Sequence, residues 1–191
     1  MLCYKIIRIS DLSQDDINST LTLLSNEQLA YINSLCEKRK IQSLAVRTAL
    51  NLLIRDEKLD VSLSSLAFDK VQKPYFKESN LFLSLAHSGD YVACAVSDSE
   101  VGIDIEKLKP VKESVISRVC NTEEQNYINN NGDISFFTLW TLKEAYIKAN
   151  DCRLKISQIN TVKDGNICMI PFDFLTGDIP DYKWSIIKKQ R

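Results

Sequence analysis

Two carboxylates two positions apart interrupt an otherwise apolar run, Val101-Gly102-Ile103-Asp104-Ile105-Glu106. In a strand, alternate side chains share a face. Asp104 and Glu106 therefore point one way, and Ile103 and Ile105 point the other, where a core would want them. Like charges on one face repel unless a cation lies between them. A hard divalent metal with oxygen ligands, Mg²⁺ in particular, resolves that repulsion; a solvated edge strand carrying two acids is the plainer reading. A second segment, residues 136–149, has no Gly or Pro and reads as a helix, with Ser135 or Asp133 to cap its start. Trp140, Glu144 and Lys148 fall at i, i+4 and i+8, one row on that helix. The row is either an aromatic core anchor beside a surface Glu–Lys pair, or a third carboxylate and a cation converging on Asp104 and Glu106.

The elements that must hold these residues follow from periodicity. Residues 3–9 read as a strand and residues 13–59 as helix. Ser13 and Ser25 are the candidate N-caps, and Ser25-Asn26-Glu27-Gln28 approximates a capping box. Short strands follow at Leu66–Phe68 and 81–85, with Lys73-Pro74 as the turn between them. Tyr91–Ser97 is a β run, and the polar turn at 97–100 predicts a hairpin with the acidic strand 101–106. Beyond Pro110 the chain is helical to Ala149, broken near Asn129-Asn130-Asn131-Gly132. The tail alternates β runs at 158–162, 167–170 and 182–187, with Asp164-Gly165 as a hairpin turn. Helices with antiparallel strands in both halves predict an α+β fold in two similar lobes, 1–98 and 99–191. No internal repeat is visible in the sequence.

The chain's 191 residues suffice for one large domain or two small lobes. A formal net charge of −1 gives no global basic field for nucleic acid. No signal-peptide pattern and no apolar run of membrane-spanning length appear, which predicts a cytoplasmic protein without a membrane partner. Six cysteines show no short paired spacing and there is one histidine, which argues against a zinc site. The cysteines read as reduced, several of them small hydrophobes. The five glycines form neither a phosphate loop nor a dinucleotide fingerprint, and no Gly-x-Ser-x-Gly elbow is present.

Gly102-Ile103-Asp104-Ile105-Glu106 followed by Trp140-Thr141-Leu142-Lys143-Glu144-Ala145-Tyr146-Ile147-Lys148 resembles the signature of the 4′-phosphopantetheinyl transferase superfamily. That signature is a Gly-Ile-Asp-x-Glu strand and, some tens of residues on, a Trp-x-x-Lys-Glu-Ala-x-x-Lys helix. Residues 115–124 are similar to the helix-then-Glu pattern between them. The resemblance implies the two-lobed, pseudo-dimeric phosphopantetheinyl transferase fold: α+β, antiparallel sheets packed by helices, with the active site at the lobe interface. It implies transfer of 4′-phosphopantetheine from coenzyme A to a serine of an apo acyl or peptidyl carrier protein, as by a holo-[acyl-carrier-protein] synthase, in a monomer. Asp104, Glu106 and Glu144 would hold Mg²⁺, or Mn²⁺, against the pyrophosphate. Glu144 would also take the serine proton. Lys148 would stabilise the phosphates, and Lys143 would either do so too or only solvate its helix.

The same resemblance implies coenzyme A contacts earlier in the chain. His87 and Ser88 match a strand end whose His meets a phosphate, although Ala86 replaces the family's first Ser. Lys73 and Pro74 match a Gly-Lys-Pro turn near the adenine, with Gln72 in place of Gly. Arg39 and Arg47 are the candidate cations for the 3′-phosphate. The carrier would dock on the helical stretch bearing Val115, Ile116 and Val119, with Lys107, Lys109, Lys112 and Arg118 as a basic patch; helix core is the other reading of those apolar residues. Two rivals stand beside this: a non-catalytic relative that binds coenzyme A or a carrier, and another Mg²⁺-dependent phosphoryl-group enzyme.

Overall fold

The first seventy-odd residues are organised by capping and by one long amphipathic helix. The computed structural model describes residues 1–150 and 154–190. Strand β1 (Leu2–Arg8) leads into α1 (Gln14–Leu23), α2 (Asn26–Ser34) and α3 (Glu37–Asp56). Ser13 and Ser25 cap α1 and α2, their side chains accepting the N–H groups of Asp16 and Gln28. Only half of the capping box at Ser25 forms. Gln28 does not reach back to the cap; its side chain turns inward and donates to the Leu66 carbonyl. On α3, Ala45, Ala49, Leu50 and Leu53 are buried and meet Leu83, Val92, Cys94 and Val96 in one core.

Those last residues lie on β4 (Phe82–Ser88) and β5 (Tyr91–Ser97), antiparallel strands joined by Gly89-Asp90, where Gly89 takes φ +52°. The sheet order is β1-β5-β4. A ribbon of β2 (Leu66–Phe68) and β3 (Pro74–Phe76) precedes it. Pro74 is therefore the first residue of a strand, where a missing N–H costs no ladder bond, and the turn lies just before it, with Gln72 at φ +64°. The hairpin predicted between Tyr91–Ser97 and the acidic strand does not form. Both edges of β5 are taken, by β1 and β4, and the acidic strand pairs elsewhere.

That strand, β6 (Val101–Lys107), opens the second compact unit; the two units are Met1–Asp98 and Ser99–Arg191. β6 pairs antiparallel with β10 (Tyr182–Lys189), which also pairs with β9 (Phe172–Ile179). Between them run α4 (Glu113–Val119), α5 (Thr122–Asn131), α6 (Ile134–Ala149) and a ribbon of β7 (Val162–Lys163) and β8 (Asn166–Ile167). The Asp164-Gly165 turn of that ribbon has positive φ at both positions, +52° and +72°, the geometry that a tight two-residue hairpin needs. Neither predicted cap of α6 works as one. Asp133 stands at the cap position without a side-chain bond, and the Ser135 hydroxyl donates to the Gly132 carbonyl at 2.6 Å. Gln158 lies in a 3-10 turn, Ile156–Gln158, rather than in a strand.

β9 escapes sequence reading because Asp173, Gly177 and Asp178 are poor strand formers. They are tolerated on an edge strand whose side chains are mostly exposed. Apart from a 3-10 turn, Ile9–Asp11, after β1, the two units share one order of elements: a strand, three helices, a 3-10 turn, a two-stranded ribbon, then two strands of which the last is central in its sheet. The repeat is thus one of topology, carried by different residues, which is why the sequence hides it.

Candidate active site

Helix α6 lies directly on β6 because Gly102 has no side chain. A Cβ there would collide with the Ala145 carbonyl oxygen and come within 2.7 Å of its carbon and 3.0 Å of the Ala149 nitrogen. The glycine of the acidic motif is thus a close-approach residue. Its neighbours on the same face, Asp104 and Glu106, are brought to the α6 row of Trp140, Glu144 and Lys148. Trp140 packs among Val115, Phe136 and Phe137 as a core anchor. Behind the row, the Thr141 and Ser185 hydroxyls share a buried hydrogen bond of 2.6 Å that ties α6 to β10 opposite Asp104.

Asp104 is the electrostatic centre. It is 6% exposed. Lys148 Nζ stands 2.6 Å from its Oδ1 and donates also to the Ile103 carbonyl at 3.1 Å. The other oxygen, Oδ2, is buried without a hydrogen-bond partner. Burial pushes its pKa up to about 6, against the pull of Lys148, and the charges of Glu106 and Glu144 push the same way as burial. Glu144 is raised as well, by burial first, with Lys148 opposing and Glu106 adding. Three carboxylates that repel one another, one with an orphaned buried oxygen, form a hard oxygen-donor set that suits a divalent cation. The set is not preassembled: among the described residues, no three His, Cys, Asp or Glu side chains stand at metal-binding spacing. Lys148 lies on Asp104 instead.

Lys143 requires a correction. Its ammonium is 1% exposed, 2.7 Å from Glu124 Oε2 and 2.7 Å from the Val119 carbonyl. It neither faces a phosphate nor solvates the helix; it is an internal tie. Glu124, fully buried, closes the helix-then-Glu stretch 115–124, and sequence reading assigned it no role of its own. It completes a capping box with Asn121 and accepts from the Thr161 N–H and hydroxyl as well as from Lys143. Asn121-Thr122-Glu123-Glu124 carries the cap-then-Glu signal that could have found it.

Of the first unit's candidates, Arg39, Arg47 and His87 share one cleft, and Lys73, Pro74 and Ser88 do not line it. A hollow of about 370 Å³ is lined by Arg39, Ser43, Arg47, Phe68, Ala86 and His87 among others. His87 is exposed near the end of β4, and Ser88 closes that strand. Lys73 precedes β3, its N–H held by Asp69 Oδ1 at 2.8 Å. Arg39 is exposed on α3. Arg47 is not; it is 3% exposed, with Nη1 donating to the carbonyl and hydroxyl of Ser43.

Residues 100–186 match the family model described as the 4′-phosphopantetheinyl transferase superfamily. The chain is similar to the 4′-phosphopantetheinyl transferase gsp of Aneurinibacillus migulanus, 35% identical over 107 residues. That match spans 51% of this chain and 45% of gsp, so less than half of that relative's length is represented. The 4′-phosphopantetheinyl transferase Sfp of Bacillus subtilis (strain 168) is 26% identical over 157 residues, 78% of this chain and 69% of Sfp. Among solved structures, a holo-(acyl-carrier-protein) synthase from Bacillus anthracis str. Ames in complex with CoA (3′,5′-ADP) covers 50% of this chain and 91% of its own. At 18% identity and a TM-score of 0.37, that likeness is too slight for a comparison of folds.

Proposed function

We propose that this protein transfers 4′-phosphopantetheine from coenzyme A to a serine of an apo acyl or peptidyl carrier protein. The observation that carries the reading is Asp104: one oxygen on Lys148, the other buried without a partner, with the charges of Glu106 and Glu144 bearing on it. A structural aspartate would have both oxygens satisfied. The match of residues 100–186 to the 4′-phosphopantetheinyl transferase superfamily supports the same reading. Asp104, Glu106 and Glu144 would hold Mg²⁺ or Mn²⁺, which when bound neutralises pyrophosphate charge. Lys148 would exchange Asp104 for a phosphate oxygen and stabilise the negative charge left on the departing nucleotide. Glu144, its pKa raised by burial, is suited to accept the serine proton.

Arg39, His87, Ser88, Lys73 and Pro74 are proposed as coenzyme A contacts, with Arg47 as the buried wall of their cleft. Beside Glu106 an apolar hollow of about 240 Å³ is walled by Val115, Phe136, Phe137 and Trp140, with Lys109 and Lys112 at its edge. Its apolar walls and cationic rim suit a pantetheine arm or an acidic carrier, and Val115 is common to this hollow and the helix core. No described helix is long and apolar enough to cross a membrane.

The test is to mix the protein with coenzyme A, Mg²⁺ and a panel of apo carriers and to weigh the carriers by mass spectrometry. A gain of one phosphopantetheine that is lost with Asp104→Ala is expected. No gain on any carrier, with coenzyme A still bound, would leave a non-catalytic relative. Hydrolysis of coenzyme A without a carrier would mark a phosphoryl-group hydrolase.

A further inference from the structure

Strand β10 sets a lysine between two acids. Lys183 stands opposite Glu106 on β6 and opposite Asp178 on β9. Residues directly opposite in antiparallel strands share a face, so these three side chains form one row across the sheet. Two residues along, on the same face, Asp104 stands opposite Ser185, whose hydroxyl meets Thr141 of α6. The carboxylates of the candidate active site thus have a second lysine beside them, on a different element from Lys148.

Of its two acidic neighbours, Lys183 takes Asp178. Its Nζ stands 2.6 Å from Asp178 Oδ1, with the lysine side chain 14% exposed and the aspartate side chain 66% exposed. An ion pair whose acid faces water on an edge strand adds little stability. Its effect lies elsewhere. A directly opposite pair is within reach of a lysine side chain, so the same ammonium could lie on Glu106. Held by Asp178, it leaves the charge of Glu106 to bear on Asp104 and Glu144, and both feel it.

We propose that Asp178 is a positioning residue for the metal site: by holding Lys183, it keeps that ammonium off Glu106. The proposal rests on the reading of Asp104, Glu106 and Glu144 as the holders of a divalent cation. Without Asp178, Lys183 turns to Glu106 and offsets the charge that the cation needs. Asp178 acts only through Lys183 and touches neither the metal nor a phosphate.

The test is titration of the full chain with Mn²⁺, followed by the electron spin resonance of the free ion. It is run in 1 M KCl, where the screening length is about 3 Å and a charge in water exerts little pull. Asp178→Asn should weaken Mn²⁺ by about three- to tenfold. Asp178→Glu should bind it as the wild type does. Lys183→Met added to Asp178→Asn should restore the wild-type affinity, which damage to the sheet edge would not do. A second readout needs no metal. In EDTA, Glu106→Gln and Asp178→Asn each leave Lys183 one carboxylate, and the double variant leaves it none. The double variant should therefore lose more melting temperature than the two single losses added together. Additive losses would overturn the proposal. So would an Asp178→Asn protein that binds Mn²⁺ as tightly as the wild type, or one that Lys183→Met does not restore. A wild type that binds no Mn²⁺ would overturn the metal reading itself and the proposal with it, so the two failures are told apart.

Discussion

The backbone of Ala145 occupies the space where Gly102 would carry a side chain. This contact sets the distance between the strand that bears Asp104 and Glu106 and the helix that bears Glu144 and Lys148. Backbone cannot move aside as a rotamer can, so Gly102→Ala must push α6 away from β6. Its cost should reach the upper range of overpacking, about 3 kcal/mol or more. Gly177→Ala is the control. Gly177 lies on the edge strand β9; its Cβ would meet the ring of Trp184, its cross-strand neighbour on β10, and a side chain can give way. That variant should lose about 1 kcal/mol. Urea denaturation of both decides the point; equal losses would mean that α6 does not depend on the close approach.

Lys143→Met should destabilise the protein by about 3–5 kcal/mol, because it leaves Glu124 charged, buried and without its cation. Adding Glu124→Gln should recover part of that loss, since the unpaired charge goes with it. Neither change touches a phosphate contact, so coenzyme A affinity measured on folded protein should be unchanged. A folded Lys143→Met that no longer binds coenzyme A would restore the phosphate role that the geometry removes.

Asp104 gives stability a definite pH dependence. Its folded pKa, about 6, lies above the ordinary 3.8, so the folded state holds the proton more tightly. The group's contribution is therefore full below about pH 4 and is lost as the pH rises through about 6. Asp104→Asn removes the penalty. In EDTA it should be more stable than the wild type at pH 8, by up to about 3 kcal/mol, and no more stable at pH 3.5. Thermal melts at the two pH values check the sign; a variant that is less stable at pH 8 would show that Lys148 outweighs burial.

How much of this was readable without the fold can be judged residue by residue. Asp104, Glu106, Glu144 and Lys148 were legible because strand and helix periods put side chains on a face regardless of tertiary context. Ser13 and Ser25 were legible because caps are local chemistry. Lys143 was not, because a lysine between a leucine and a glutamate looks solvated until its partner, nineteen positions earlier, is seen. The pairing of β6 with β10 was not, because a polar turn after β5 predicts the nearest strand and cannot register that β1 has already taken that edge. The duplicated topology was hidden for a related reason: it fixes the order of elements and the placement of a cap, a third-position side chain and a mid-helix cation, yet leaves Gln28 and Glu124 free to differ.

Lys148 and a metal ion compete for Asp104, and that competition yields the last prediction. With Lys148 in place, one oxygen of Asp104 is held at 2.6 Å by an ammonium. Lys148→Met removes a positive charge from a half-buried site that already gathers three carboxylates, so Mn²⁺ should bind it more tightly than it binds the wild type. Glu144→Gln removes a negative charge and a ligand, and should weaken Mn²⁺ by roughly tenfold or more. Titration followed by the electron spin resonance of free Mn²⁺ measures both without reference to turnover. If phosphopantetheine transfer is then assayed, Lys148→Met should lose it despite the tighter metal, because the cation that would meet the departing nucleotide is gone. Weaker Mn²⁺ binding in Lys148→Met would instead mean that this lysine orders the carboxylates, and that its ion pair with Asp104 is part of the fold and not a contact to be exchanged.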